Sequence, residues 1–237
     1  GNGYDGILYD NYSIFNTGDI AKIFFKALEK LGIKNLHAAI GGSIGAAICW
    51  ELAALYPNLI KHLISVAGDW KATDWMIANS SLQSRILNNS SNPIQDARMH
   101  AMLCYRTPKS FRIRFNRSFN KEKNIFNVES WLFHHGQKLE DRFELKAYKM
   151  MNHLLGSINI ERYGEKIESI ILKIKSKIHI ISIDTDLFFP LDEDKNTVKI
   201  AESVGVKINH KLIKSEFGHD AFLMEFDQMK IILKEIF

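Results

Sequence analysis

Two cysteines in 237 residues are too few for a disulfide framework. Cys49 and Cys104 both sit in apolar, helix-like surroundings, which favours buried free thiols over a bridge. No apolar run reaches the length of a membrane-spanning helix, and nothing resembles a secretory leader, so a cytoplasmic location is the expectation. Nine histidines are present without metal-ligand spacing: His134 and His135 are adjacent, and there is no H-E-x-x-H. There are no internal repeats and no low-complexity tracts. The net charge of +4 is small and dispersed, which argues against a nucleic-acid partner. The lysines at 173, 175 and 177 read as a solvated approach to a strand, with attraction of an anionic co-substrate as the weaker reading.

What is present is a core-forming composition, 46% hydrophobic, and one stretch of unusual information. Residues 36–40 form a short apolar run that reads as a buried strand. Gly41-Gly42-Ser43-Ile44-Gly45 follows, fitting G-x-S-x-G, and an Ala-rich helical stretch comes at once after it. Strand, sharp turn and helix are the context of a nucleophile elbow, which holds a serine in a strained backbone with its hydroxyl exposed. Gly41 and Gly45 are expected to remove side chains where strand and helix come close. The N–H of Ile44 then falls at a helix N-terminus, where it can stabilise an oxyanion.

Around this turn the pattern is helix, strand, helix, strand. Residues 19–31 read as an amphipathic helix capped by Thr17 or Asp19 and stopped by Gly32. Residues 62–67 read as the next strand. This order implies a parallel sheet with right-handed crossovers. From 69 to about 163 strand-like runs vanish, and a helical, polar and aromatic segment reads as a lid over the sheet. The sheet resumes at 178–183, a helix covers about 193–203, residues 207–214 form a last strand, and 222–237 a closing helix. The chain therefore divides into 1–68, the first part of an α/β core; 69–163, the helical insertion; and 164–237, the second part of the core. Gly1-Asn2-Gly3-Tyr4-Asp5-Gly6 reads as a turn-rich loop with no initiator Met, and only four parallel strands are visible. Both features raise the expectation that N-terminal strands of the fold lie upstream.

A serine nucleophile needs a base, and the base an orienting carboxylate, here in the chain order Ser, acid, His. The strand at 178–183 ends in Asp184-Thr185-Asp186-Leu187-Phe188-Phe189-Pro190, and the last strand is followed by Gly218-His219. Loops at the C-terminal ends of parallel strands are where such sites form. Ser43, Asp186 and His219 are the expected catalytic set. Asp184, Asp192 and Asp194 are alternatives for the acid, and Asp192 also reads as a helix cap. His37, His62 and His179 fall inside strand patterns and read as core or face residues.

Further segments carry a resemblance. Gly41-Gly42-Ser43-Ile44-Gly45, Asp96-Ala97-Arg98-Met99-His100-Ala101-Met102-Leu103-Cys104-Tyr105-Arg106, Asn127-Val128-Glu129-Ser130-Trp131-Leu132 with His135-Gly136 and Arg142-Phe143, Asp184-Thr185-Asp186-Leu187-Phe188-Phe189-Pro190 and Gly218-His219-Asp220-Ala221-Phe222 together resemble the homoserine O-acetyltransferase family. Ala46 and Cys104 depart mildly from it. The resemblance implies an α/β-hydrolase-type, mostly parallel sheet with a helical lid. It implies acetyl transfer from acetyl-CoA through a serine acyl-enzyme to the hydroxyl of L-homoserine, in methionine biosynthesis, with no permanently bound cofactor. It implies that Arg98 binds the homoserine carboxylate, that Tyr105 assists, that Asp220 holds the amino group and that a homodimer forms through the lid. Succinyl-CoA as donor, serine as acceptor, and plain ester or thioester hydrolysis on the same triad remain open. The family's second oxyanion donor has no counterpart here, so this chain alone is expected to be inactive and a complete version active.

Overall fold

The computed structural model describes residues 10–237. The opening loop read at residues 1–6 lies outside the described residues.

Helix α1 (Thr17–Lys30) packs against the strand–elbow–helix unit that follows. Its cap is neither Thr17 nor Asp19 but Asn16. Asn16 Oδ1 accepts from the Asp19 N–H at 3.2 Å, and Asp19 returns a carboxylate to the Asn16 N–H at 3.1 Å, a reciprocal box that satisfies two orphan donors. Gly32, at φ 71°, follows where the helix ends. Strand β1 (Leu36–Gly42) leads into α2 (Ile44–Leu55). Helix α2 is apolar nearly all round and correspondingly buried, with Trp50 1% and Ala53 0% exposed.

Strands β1, β2 (Ile60–Val66), β5 (Lys177–Ile183) and β6 (Asn209–Ile213) form one sheet, in that order and parallel throughout. β2 and β5 are each buried at six of seven positions, as strands covered on both faces are. On one face, α1, α2, α8 (Ile167–Lys173) and α9 (Leu191–Ser203) close a core around Trp50, Leu63, Ile171 and Ile180. On the other, α10 (Phe226–Ile236) covers Ile64, Ile181 and Ile213. Glu51 ties the first face together: its Oε1 accepts from Thr17 Oγ1 at 2.7 Å and pairs with Arg162, while burial pushes its carboxyl pKa up. His62 and His179 face each other across β2 and β5, with Nδ1 and Nε2 3.1 Å apart, both buried and held neutral by burial. Both cysteines are buried free thiols.

The segment between β2 and β5 is mainly helical: α3 (Asp74–Asn89), α4 (Pro93–Tyr105), α5 (Pro108–Phe115), α6 (Asn127–Glu140) and α7 (Leu145–Gly156). It also contains a short antiparallel pair, β3 (Phe119–Asn120) with β4 (Ile125–Phe126), in a region expected to lack strands. Two residues a side leave no room for an alternating pattern, so periodicity gives no signal there. Because β2 and β5 are neighbours, the insertion leaves and re-enters the sheet without disturbing its order. Two other boundaries differ from expectation. Asp192 lies inside the first turn of α9, whose cap is Pro190. The closing helix is divided into a 3₁₀ turn (Gly218–Leu223) and α10. Among the described residues no helix is long and apolar enough to cross a membrane.

Candidate active site

Register aligns the site. Gly42 pairs with Val66, Val66 with Ile181, and Ile183 with Ile213, so β1, β5 and β6 end together. The loops that leave them carry Ser43, Asp186 and His219.

Ser43 has φ 57° and ψ −127°, a conformation that costs a non-glycine residue on the order of 1–3 kcal/mol. Its backbone is held on both sides: the Ser43 N–H donates to Val66 O at 2.9 Å, and its own C=O accepts from the Ala46 N–H at 2.9 Å. Gly41 is required by the close approach. A Cβ there would lie 2.1 Å from Gly45 O. Gly45 is different from expectation, since a Cβ on it would meet nothing within 4 Å. The crowding falls on its backbone, and its side-chain direction is open.

His219 sits in the 3₁₀ turn after β6 and is 4% exposed. Its Nδ1 is 2.8 Å from Asp186 Oδ2 and its Nε2 is 2.9 Å from Ser43 Oγ. An ionised carboxylate only accepts, so facing Asp186 fixes the proton on Nδ1 and leaves Nε2 as the acceptor for the Ser43 hydroxyl. Asp186 is itself oriented: its Oδ1 accepts from the Phe188 and Phe189 N–H groups at 2.7 and 2.9 Å. The rings of Tyr105, Phe188, Phe189 and Phe222 surround the imidazole at centroid distances of 5.3 to 5.6 Å, an apolar jacket that keeps bulk water off it. Ile44, the first residue of α2, places its amide at the positive end of that helix.

The other aspartates are engaged elsewhere. Asp184 Oδ1 accepts from the Ser215 N–H at 2.9 Å, and Asp192 pairs with Lys195 on the surface. Asp194 is buried, shares a 2.5 Å hydrogen bond with Ser182, and has its pKa pushed up to about 8 by burial and then by the neighbouring Asp69 and Asp186 charges. Ser182 Oγ is also 2.7 Å from His210 Nε2. Burial pushes Asp69 up to about 7.

A cavity of about 220 Å³ opens at Ser43 and Ile44, roofed by the insertion. Arg98 and Tyr105 both line it, and the Arg98 guanidinium lies over the Tyr105 ring at 5.4 Å. Burial raises the pKa of the Tyr105 phenol, so it stays neutral. His135, on α6, is held down to about 4, first by burial and then by the Arg98 charge. Asp220 is not brought to this cavity. Its Oδ2 lies 2.9 Å from Arg106 Nε, an ion pair by distance, although the angle is too poor to count as a hydrogen bond. The cavity also contains polar residues that sequence reasoning did not find, among them Asn79, Gln83 and Tyr148. They are isolated polar positions on helices and belong to no motif. No group of described residues is arranged to hold a metal ion.

A strained serine beside a helix N-terminus, with an imidazole in hydrogen-bond reach and a carboxylate orienting that imidazole, can form a covalent acyl intermediate. Comparison with known proteins identifies the family and the fold. A sequence model of the α/β-hydrolase fold matches residues 1–127. A homoserine O-acetyltransferase of Cyclobacterium marinum is 30% identical, over 97% of this chain and 67% of its own length. Among solved structures, a homoserine O-acetyltransferase from Bacillus anthracis superposes with TM-score 0.82 at 16% identity, over 92% of this chain and 64% of that one. The acetyl esterase MekB superposes with TM-score 0.78 at 19% identity, over 93% and 67%. At these identities the structural likenesses establish the fold. The chain spans 50% to 64% of the length of three further curated relatives, all homoserine O-acetyltransferases. With its parallel sheet, its elbow and these relatives, the chain belongs to the homoserine O-acetyltransferase family of the α/β-hydrolase fold.

Proposed function

We propose that this chain carries the centre of an acyltransferase that moves an acetyl group from acetyl-CoA to the hydroxyl of L-homoserine, supplying methionine synthesis. The observation that carries the reading is the unbroken row Asp186–His219–Ser43 at the mouth of a roofed cavity. His219 Nε2 takes the Ser43 proton as Oγ attacks the thioester carbonyl, and the Ile44 N–H receives the developing oxyanion. The same imidazole returns the proton to the departing CoA thiolate. It next takes the proton of the homoserine hydroxyl as that oxygen attacks the acyl-Ser43 ester, and gives it to Ser43 Oγ as the C–Oγ bond breaks, which restores the free serine. Arg98 offers a planar, two-pronged partner for the acceptor carboxylate, and the Tyr105 ring supports the Arg98 guanidinium. Asp220 contacts the acceptor only after releasing Arg106.

Transfer requires that the acceptor outcompete water, and the lid and the aromatic jacket favour that outcome. Hydrolysis on the same triad is the second reading. In the intact protein, CoA release from acetyl-CoA should depend on homoserine and yield O-acetyl-L-homoserine. Equal release without an acceptor would make the protein a hydrolase. Succinyl-CoA and serine in the same panel settle donor and acceptor. The 237-residue chain alone is expected to be inactive, because it spans only part of its relatives' length. Association of two copies through the lid belongs to the same proposal. Exposed Ile113, Phe119 and Phe133 supply apolar area for it. A cytoplasmic setting matches the metabolite substrates.

A further inference from the structure

We infer that Thr185 is a positioning residue for the base: it sets the place of His219 relative to Asp186 and Ser43. This rests on the reading that His219 activates Ser43 for acyl transfer. Three consecutive residues after β5 reach across to the loop that follows β6. Asp184 Oδ1 accepts from the Ser215 N–H at 2.9 Å. Thr185 Oγ1 donates to Ser215 O at 2.6 Å and accepts from the Gly218 N–H at 3.2 Å. Asp186 Oδ2 meets His219 Nδ1 at 2.8 Å. The residue before the acid is thus bonded to the residue before the base. A hydroxyl has one proton and a carbonyl only accepts, so that proton goes to Ser215 O and a lone pair is left for the Gly218 N–H. One oxygen serves both partners; a methyl group in its place serves neither.

Gly218 needs this partner. It is buried and opens the 3₁₀ turn that carries His219, so its N–H is an orphan donor of a helix start. Phe217, at the cap position, offers no side-chain acceptor, and Thr185 supplies the cap from 33 positions away in the chain. Gly218 also stands at φ 67°, and a Cβ on it would lie 3.0 Å from Tyr105 O and 3.2 Å from Thr107 Cγ2. The position therefore takes glycine, the residue with the freest backbone, immediately before the base. Without its hydrogen bond that peptide group can swing, and His219 swings with it. Other ties to this loop act earlier along it: Asp184 on Ser215, and Thr107, whose Oγ1 donates to Glu216 O at 2.5 Å. Thr185 holds the peptide next to His219.

The test is a double-mutant cycle on acylation of Ser43 in the intact protein, read as p-nitrophenolate release from p-nitrophenyl acetate per folded molecule. The good leaving group of that ester keeps slow variants measurable. Thr185→Val keeps the shape and removes both hydrogen bonds. It should slow acylation about 10- to 100-fold, with the half-saturating ester concentration within about twofold. Thr185→Ser returns the hydroxyl and should recover to within about threefold of the parent. In a His219→Ala background Thr185→Val should cost less than about twofold, because the group it positions is gone. The same loss in both backgrounds means that Thr185 acts on the fold at large and overturns the inference. A parent-like rate in Thr185→Val, or no recovery in Thr185→Ser, also overturns it. If Thr185→Val does not fold, Thr185→Ala takes its place in the cycle; failure of both to fold makes the residue structural and overturns the inference. If the cycle comes out as expected with the ester while acetyl-CoA acylates nothing, the transferase reading falls and the role of Thr185 stands.

Discussion

The ring of Phe222 fills the space a side chain on Gly42 would need: a Cβ on Gly42 would come 2.6 Å from Phe222 Cε2. Phe222 is in the same 3₁₀ turn as His219, and the two rings touch at a centroid distance of 5.6 Å. The elbow and the histidine loop are therefore fitted to one another through a missing side chain.

Gly42→Ala should push Phe222 outward and carry His219 with it, lengthening the 2.9 Å contact with Ser43. Displacements of this kind cost up to about a hundredfold in rate. Pre-steady-state acylation should fall by about that factor, with acceptor KM nearly unchanged and the fold retained.

Asp186→Asn tests the tautomer. The side-chain carbonyl can still accept from the Phe188 and Phe189 N–H groups, so the loop keeps its shape. The amide NH₂ then faces His219 Nδ1 and forces the ring proton onto Nε2, which can no longer accept from Ser43. Acylation should drop by about 10⁴, as carboxylate-to-amide changes do in serine–histidine sites, with the melting temperature little altered.

Asp194 governs a pH dependence of stability. Its carboxyl is neutral in the folded chain up to about pH 8, whereas in the unfolded chain it ionises near pH 4. The unfolded state therefore gives up its proton first, and folding loses stability as pH rises from about 4 to about 8. Asp194→Asn keeps a partner for Ser182 and removes this loss. The variant's advantage in unfolding free energy should be near zero at pH 4 and grow to on the order of 5 kcal/mol by pH 8. A constant difference across that range contradicts the account.

The parts of this architecture legible in the sequence are those with a strong local cause. The two buried central strands, β2 and β5, announce themselves through their β-branched residues, and the elbow through glycines around a serine between a strand and a helix. Asp186 is the expected acid in the sequence, but Asp184, Asp192 and Asp194 lie within the same eleven residues, and what separates Asp186 from the equally buried Asp194 is the partner each meets, His219 or Ser182, which the sequence does not encode. The Asn16 cap was misplaced by one to three residues, since Asn16, Thr17 and Asp19 are all competent cap types. The Asp220–Arg106 pair depends on a contact between distant elements, which no periodicity encodes.

The most direct test of the account is the covalent state of Ser43. The intact protein, incubated with acetyl-CoA without acceptor and quenched in acid, should carry one acetyl group on the peptide containing Ser43. His219→Ala should abolish it, and homoserine should discharge it. An unmodified Ser43, or an acetyl group on any other side chain while turnover proceeds, would contradict it.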